Sequence, residues 1–113
     1  MKVIVSSTGK DIESDVSAVF ARCPFYLIAD IENGEIKSTE AIENISARKS
    51  GGAGISAAQE VADKGAEAVI TGNMGPRAAD VLNQFGIKVY IGKGKIRKAL
   101  ELFMNGKLKE FKR

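Results

Sequence analysis

Histidine and tryptophan are absent from this chain, cysteine occurs once, and the aromatic residues are five Phe and two Tyr. The lack of histidine removes the commonest general base and the commonest transition-metal ligand, and with them every catalytic triad built on an imidazole. A lone cysteine excludes an internal disulfide, so nothing calls for an oxidising compartment and the cytoplasm is the expected location. No apolar run approaches the ~18 to 20 residues of a membrane span. The opening MKVIVSS reads as a strand and not as the h-region of a signal peptide, so neither secretion nor membrane insertion is expected.

What remains is the make-up of a soluble globule: 113 residues, 44% apolar and 27% charged. That length predicts one α/β domain over residues 1–113, with one core shared between a sheet and its helices. The net charge of +3 is uneven, because residues 93–113 carry eight Lys or Arg against two Glu. Such a basic end is ordinarily a solvated helix face, and it is also the feature a nucleic-acid or acidic partner would use.

Val3 to Val5 is a short β-branched run, as in a strand buried on both faces. Val16, Val19 and Phe20 stand at helical spacing and predict one or two turns. The run Phe25 to Ile31 leads through Glu32-Asn33-Gly34-Glu35 to Ile36, and Asn-Gly between apolar runs predicts an antiparallel hairpin with a type I′ turn. The rhythm then changes to glycine turn, helix, strand, and repeats. Ile55, Ala58, Val61 and Ala62 mark one helix face, ended at Lys64-Gly65, with the strand Ala68 to Thr71 after it. Pro76 opens a second helix whose face is Ala79, Leu82 and Phe85, and Gly86 ends it before the strand Ile87 to Ile91. Ile96, Ala99, Leu100, Phe103 and Met104 line a third, closed by Asn105-Gly106. Strand and helix in alternation require parallel strands with right-handed crossovers. The expected fold is therefore α/β in three layers, helix over sheet over helix, around a mixed sheet.

In such a sheet ligands sit at the C-terminal ends of the parallel strands. Three glycine turns are expected there: Ser6 to Gly9, Gly72-Asn73-Met74-Gly75 before Pro76, and Gly92-Lys93-Gly94. The loop Arg48 to Gly54, with Ser50, Gly51 and Gly52, enters a helix on the same side. Glycine admits close backbone approach and helix N-termini favour anions, while Arg22, Arg48, Lys49, Arg77 and Lys93 add full charges. No Walker loop and no GxGxxG after a strand is present, so no nucleotide is expected. Cys23, in Arg22-Cys23-Pro24, is the candidate soft ligand, set against its ordinary role as a small core residue. Met74 offers a weak thioether or, more simply, packing. Asp11, Glu13 and Asp15 read as a solvated turn.

The segment GAGISAAQEVADKGAEAVITGNMGPRAADVLNQFGIKVYIG, preceded by SDVSAVFARCPFYLI, resembles the small carrier proteins of the nitrogenase iron–molybdenum cofactor biosynthesis family. The likeness runs from Met1 to about Leu108. It implies a ribonuclease H-like fold with a five-stranded mixed sheet of order 3-2-1-4-5, strand two antiparallel to the rest. It also implies binding or transfer of an iron–sulfur cluster, in some members containing molybdenum, without catalysis by the carrier, and cluster donor and acceptor proteins as partners. Carried over by position, the cofactor-binding candidates are Arg22, Ser50, Gly51, Gly52, Gly54, Gly72, Asn73, Met74, Gly75 and Arg77. Some relatives carry a ligating histidine, which this chain lacks. Cys23 is then the metal ligand, or binding is electrostatic.

A two-metal nuclease, the enzyme class such a fold suggests, needs clustered carboxylates beginning on the first strand, and Lys2-Val3-Ile4-Val5-Ser6 has none. The alternative to a cluster carrier is a protein-interaction or nucleic-acid-binding module using Lys93 to Arg113, with nucleic acid the less expected partner.

Overall fold

The structure is a computed structural model that describes residues 1–112. Its elements run β1 (Lys2–Ser7), β2 (Phe25–Glu32), β3 (Glu35–Glu43), a 3-10 turn (Ile45–Arg48), α1 (Ala53–Asp63), β4 (Ala68–Thr71), α2 (Pro76–Gln84), β5 (Lys88–Ile91), α3 (Ile96–Met104) and β6 (Lys109–Glu110). They form one mixed sheet of order β3-β2-β1-β4-β5-β6. β1, β4 and β5 are parallel neighbours. β2 runs antiparallel to β1 and β3. The predicted hairpin is present, with Asn33 and Gly34 at φ 53° and 74°, the left-handed pair that a type I′ turn requires.

Side chains alternate between the two faces of the sheet, and each face builds its own cluster. Ile4, Tyr26, Ile28, Val69 and Val89 pack with Ala57, Ala58 and Val61 of α1 and with Ala78, Ala79 and Leu82 of α2. Val3, Val5, Leu27, Ala29, Ala68 and Ile70 pack with Ile96, Ala99 and Leu100 of α3. Ile4 and its chain neighbours Val3 and Val5 are all fully buried, the outcome the β-branched run implies.

Four expectations need correction. The sheet has six strands and not five, so the order 3-2-1-4-5 is incomplete. β6 pairs only Tyr90 with Glu110 and Ile91 with Lys109, antiparallel to β5, and two residues carry no readable period. Residues 16–20 form no helix: Ser17 N–H donates to the Ser6 carbonyl at 2.8 Å, Gly72 N–H to the Ser17 carbonyl at 3.0 Å, and Val16 N–H to the Gly94 carbonyl at 2.8 Å. Backbone groups committed to three partners distant in sequence cannot form a helical ladder. Ile55 is 38% and Phe85 is 59% exposed, so neither belongs to the buried stripe of its helix. Phe85 follows α2 as its C-cap and has left the helical face. Among the described residues, no helix is long and apolar enough to cross a membrane.

Candidate functional site

β1 and β4 deliver their C-terminal ends to one rim, and α1 and α2 begin beside it on the same face of the sheet. The two helix N-termini meet Phe20 and Ala21 around an open pocket of about 290 Å³ lined by Gly52 to Ile55 and Gly75 to Ala78. Neither N-cap residue, Gly52 or Gly75, provides a side-chain oxygen, and neither first turn contains an acid. The first-turn N–H groups, among them those of Gly54 and Ala78, are those that helix geometry leaves without an intrahelical acceptor. Two helix dipoles thus present their positive ends to one space, beside the exposed Arg77.

Glycine is required at two of these positions for different reasons. Gly52 has φ 70°, which turns the chain into α1. Gly72 is pressed against the loop beneath the pocket: a Cβ there would stand 2.6 Å from the Cα of Ala18. At Gly54 a Cβ would meet that of Ala78 at ordinary contact, 3.6 Å, which records how closely the helices approach.

The expected site residues separate in the structure. Gly52, Gly54, Gly75 and Arg77 come together around the pocket, and Ser50 and Gly51 lie in the exposed turn leading to it. Gly72 supports the site from below. Asn73 accepts the N–H of Met74 on its own Oδ1 at 2.9 Å, and Met74 is 5% exposed within the core, so its thioether packs. Arg22 donates from Nη1 to the carbonyls of Ala47 at 2.7 Å and Lys49 at 2.6 Å, which ties the glycine loop to the segment before β2. The turns Ser6 to Gly9 and Gly92 to Gly94 do not join the pocket. The α3 N-terminus is closed by the Ser14 and Ile12 carbonyls, which accept the N–H groups of Ile96 and Arg97 at 2.9 and 3.0 Å.

Cys23 is 1% exposed and sits in the cluster beneath α1 and α2. Its thiol lies 3.3 Å from the carbonyls of Phe20 and Phe25, and the Asn44 amide donates to its sulfur at 3.8 Å. Burial raises its pKa above the ordinary thiol value. The expectation that Cys23 ligates metal at the rim fits this buried placement poorly. Among the described residues no group of three or more Cys, Asp or Glu is arranged to hold a metal ion.

Sequence reasoning missed the apolar wall of the pocket, Phe20, Ala21 and Ile55, and also a plain charge signal. The segments that build this end, residues 16–29, 44–59 and 68–79, contain no Asp or Glu, yet hold Arg22, Arg48, Lys49 and Arg77. The basic C-terminal segment drew attention instead, but its charges are dispersed. Arg97 pairs with Glu13 at 2.6 Å, Lys95 donates to the Glu13 carbonyl, and Lys98 faces Glu101 at 3.6 Å. Arg113 lies outside the described residues.

Residues 1–106 match the family model described as dinitrogenase iron-molybdenum cofactor. The chain belongs to this family. Proteins similar to this chain come from several organisms. An uncharacterized protein of Methanocaldococcus jannaschii is 41% identical over 97 residues, covering 85% of this chain and 82% of that one. The apo form of the orange protein from Desulfovibrio gigas superposes with a TM-score of 0.90 at 30% identity, over 97% of this chain and 92% of that one. A Thermotoga protein named as a candidate NifB protein superposes with a TM-score of 0.81 at 36% identity, over 99% and 97% of the two chains. Family membership therefore extends over the pocket and every strand except β6, which lies beyond the matched residues.

Proposed function

We propose that this protein binds and carries an anionic iron–sulfur cluster, or a molybdenum-containing one, during metallocofactor assembly, as a binding protein and not as an enzyme. The observation that carries this reading is the convergence of two uncapped helix N-termini on one pocket whose lining holds no Asp or Glu, with Arg77 at its edge. Membership of the iron–molybdenum cofactor family supports cluster cargo over other anions.

With Cys23 in the core, the cargo brings its own ligands, and the protein supplies N–H groups and charge. Each helix terminus offers roughly 0.3–1 kcal/mol to an anion, up to ~2 kcal/mol when partly buried. Two termini and a guanidinium give a hold that is useful yet reversible, as a carrier requires. The donor and acceptor proteins expected of such a carrier would meet it at this end.

Anaerobic incubation with iron and sulfide, with and without molybdate, followed by metal analysis and visible absorption, tests the proposal. Stoichiometric metal that is displaced by added salt is the expected result. No uptake with a cluster supplied either in this way or preassembled would overturn it.

A further inference from the structure

Val19, Ile45 and Ile55 are 48%, 69% and 38% exposed, and they are three of the five large apolar side chains exposed among the described residues. Ile55 belongs to the pocket wall, and Val19 and Ile45 each stand next in sequence to a residue bonded to that wall or part of it. Val19 immediately precedes Phe20, which lines the pocket. Ile45 is held between Asn44, whose amide donates to the Ala21 carbonyl at 2.9 Å, and Ser46, whose Oγ lies 2.7 Å from that of Ser56. The other two, Met1 and Phe85, lie at the chain start and beyond the far end of α2.

Apolar surface left in water forgoes about 25 cal/mol per Å². Nothing in the fold requires that loss here, since polar side chains would serve the same loop and helix backbone. The segments that carry the collar also hold Arg22, Arg48 and Lys49, with Arg77 in the pocket wall, and Glu43 faces Arg48 at 3.9 Å. An apolar patch with a surplus of cations beside it is complementary to a protein surface with an apolar centre and Asp or Glu around it.

We propose that the collar Val19, Ile45 and Ile55 docks an acidic partner protein over the mouth of the pocket. The partner's role as donor or acceptor of cargo rests on the function proposed above; the docking does not. A second copy of this chain fits poorly, because a two-fold contact would set these four cations against their own copies. A nucleic acid would use the cations and leave the apolar collar without a purpose.

The test uses the full chain, ¹⁵N-labelled, titrated with a synthetic helical peptide that carries leucines on one face and Asp and Glu beside them. A control peptide has the acids replaced by Lys. The expected result is saturable amide shifts concentrated in residues 17–23, 44–56 and 73–78. Affinity for the acidic peptide is expected to fall at least about tenfold between about 50 and about 300 mM salt. The double variant Val19→Ser, Ile45→Ser should lose at least about tenfold in affinity while keeping its native spectrum and its metal uptake.

Shifts centred on residues 93–112, equal binding of the Lys peptide, undiminished binding by the double variant or absence of saturable shifts would each overturn the inference. So would a concentration-dependent dimer that uses the same residues without peptide. Docking without metal uptake would remove the cargo reading and leave the docking site, whereas uptake without docking would do the reverse.

Discussion

Gly72 and Ala18 are in backbone contact: a Cβ on Gly72 would stand 2.6 Å from the Ala18 Cα and 3.0 Å from the carbonyl oxygens of Ser17 and Ala18. The same approach allows the Gly72 N–H to reach the Ser17 carbonyl at 3.0 Å, so the end of β4 is fastened to the loop that leads into Phe20 of the pocket wall. Gly72→Ala would drive a methyl into backbone that cannot rotate away. We expect a loss of about 1–3 kcal/mol in urea unfolding, the usual cost of overpacking. A neutral result would mean that the loop at Ala18 yields freely.

Asn44 is 3% exposed, and its amide donates to the carbonyls of Ala21 and Cys23 at 2.9 Å each while its Oδ1 accepts the Ser46 N–H at 3.1 Å. Asn44→Ala leaves those groups unpaired, at a cost of about 1–3 kcal/mol. Alkylation of Cys23, which should be nearly silent in the native protein, should quicken in this variant. Rapid labelling of the native chain would contradict the burial of Cys23.

Arg22 ties the glycine loop through the Ala47 and Lys49 carbonyls. Arg22→Ala should leave the fold intact and speed amide hydrogen exchange in residues 44–52 above the rest of the chain. Uniform exchange rates would show that the tether is dispensable.

The pH dependence follows from two buried groups. Cys23 is raised from 9.0, chiefly by burial, and Tyr26, whose hydroxyl donates to the Phe20 carbonyl at 2.6 Å, is raised from 10.0, again chiefly by burial. Each stays protonated in the folded state over a range where the unfolded chain ionises. Their contribution to stability is therefore fully present below about pH 9 and is lost as the pH climbs through the folded-state values. Urea midpoints should fall steadily above pH 9, and Tyr26→Phe should flatten that fall.

The hairpin, the parallel strands and the glycine stops were legible because each rests on a local rule: Asn33-Gly34 at the turn, Pro76 at N1, and Gly65 and Gly86 beyond the helix ends at φ 86° and 72°. Residues 16–20 misled for an equally clear reason. Their apolar spacing mimics a helix, but their backbone is claimed by Ser6, Gly72 and Gly94, partners distant in sequence. The site was half legible. Glycines and Arg77 announced an anion pocket, but spacing cannot show that α1 and α2 point their N-termini at one place, nor that Cys23 turns inward beneath them.

Gly75→Asp tests the central claim most directly. Gly75 is the N-cap of α2 at φ −71° and ψ 158°, with open space where a Cβ would stand. Aspartate there should cap the helix and raise stability by a few tenths of a kcal/mol relative to glycine. It would also place a carboxylate where the anionic cargo is expected, so metal uptake should fall about tenfold, the equivalent of ~1.4 kcal/mol, with an unchanged or raised Tm. Undiminished uptake in this variant, with uptake instead abolished by Cys23→Ser in a protein that still folds, would contradict electrostatic holding at the paired helix N-termini.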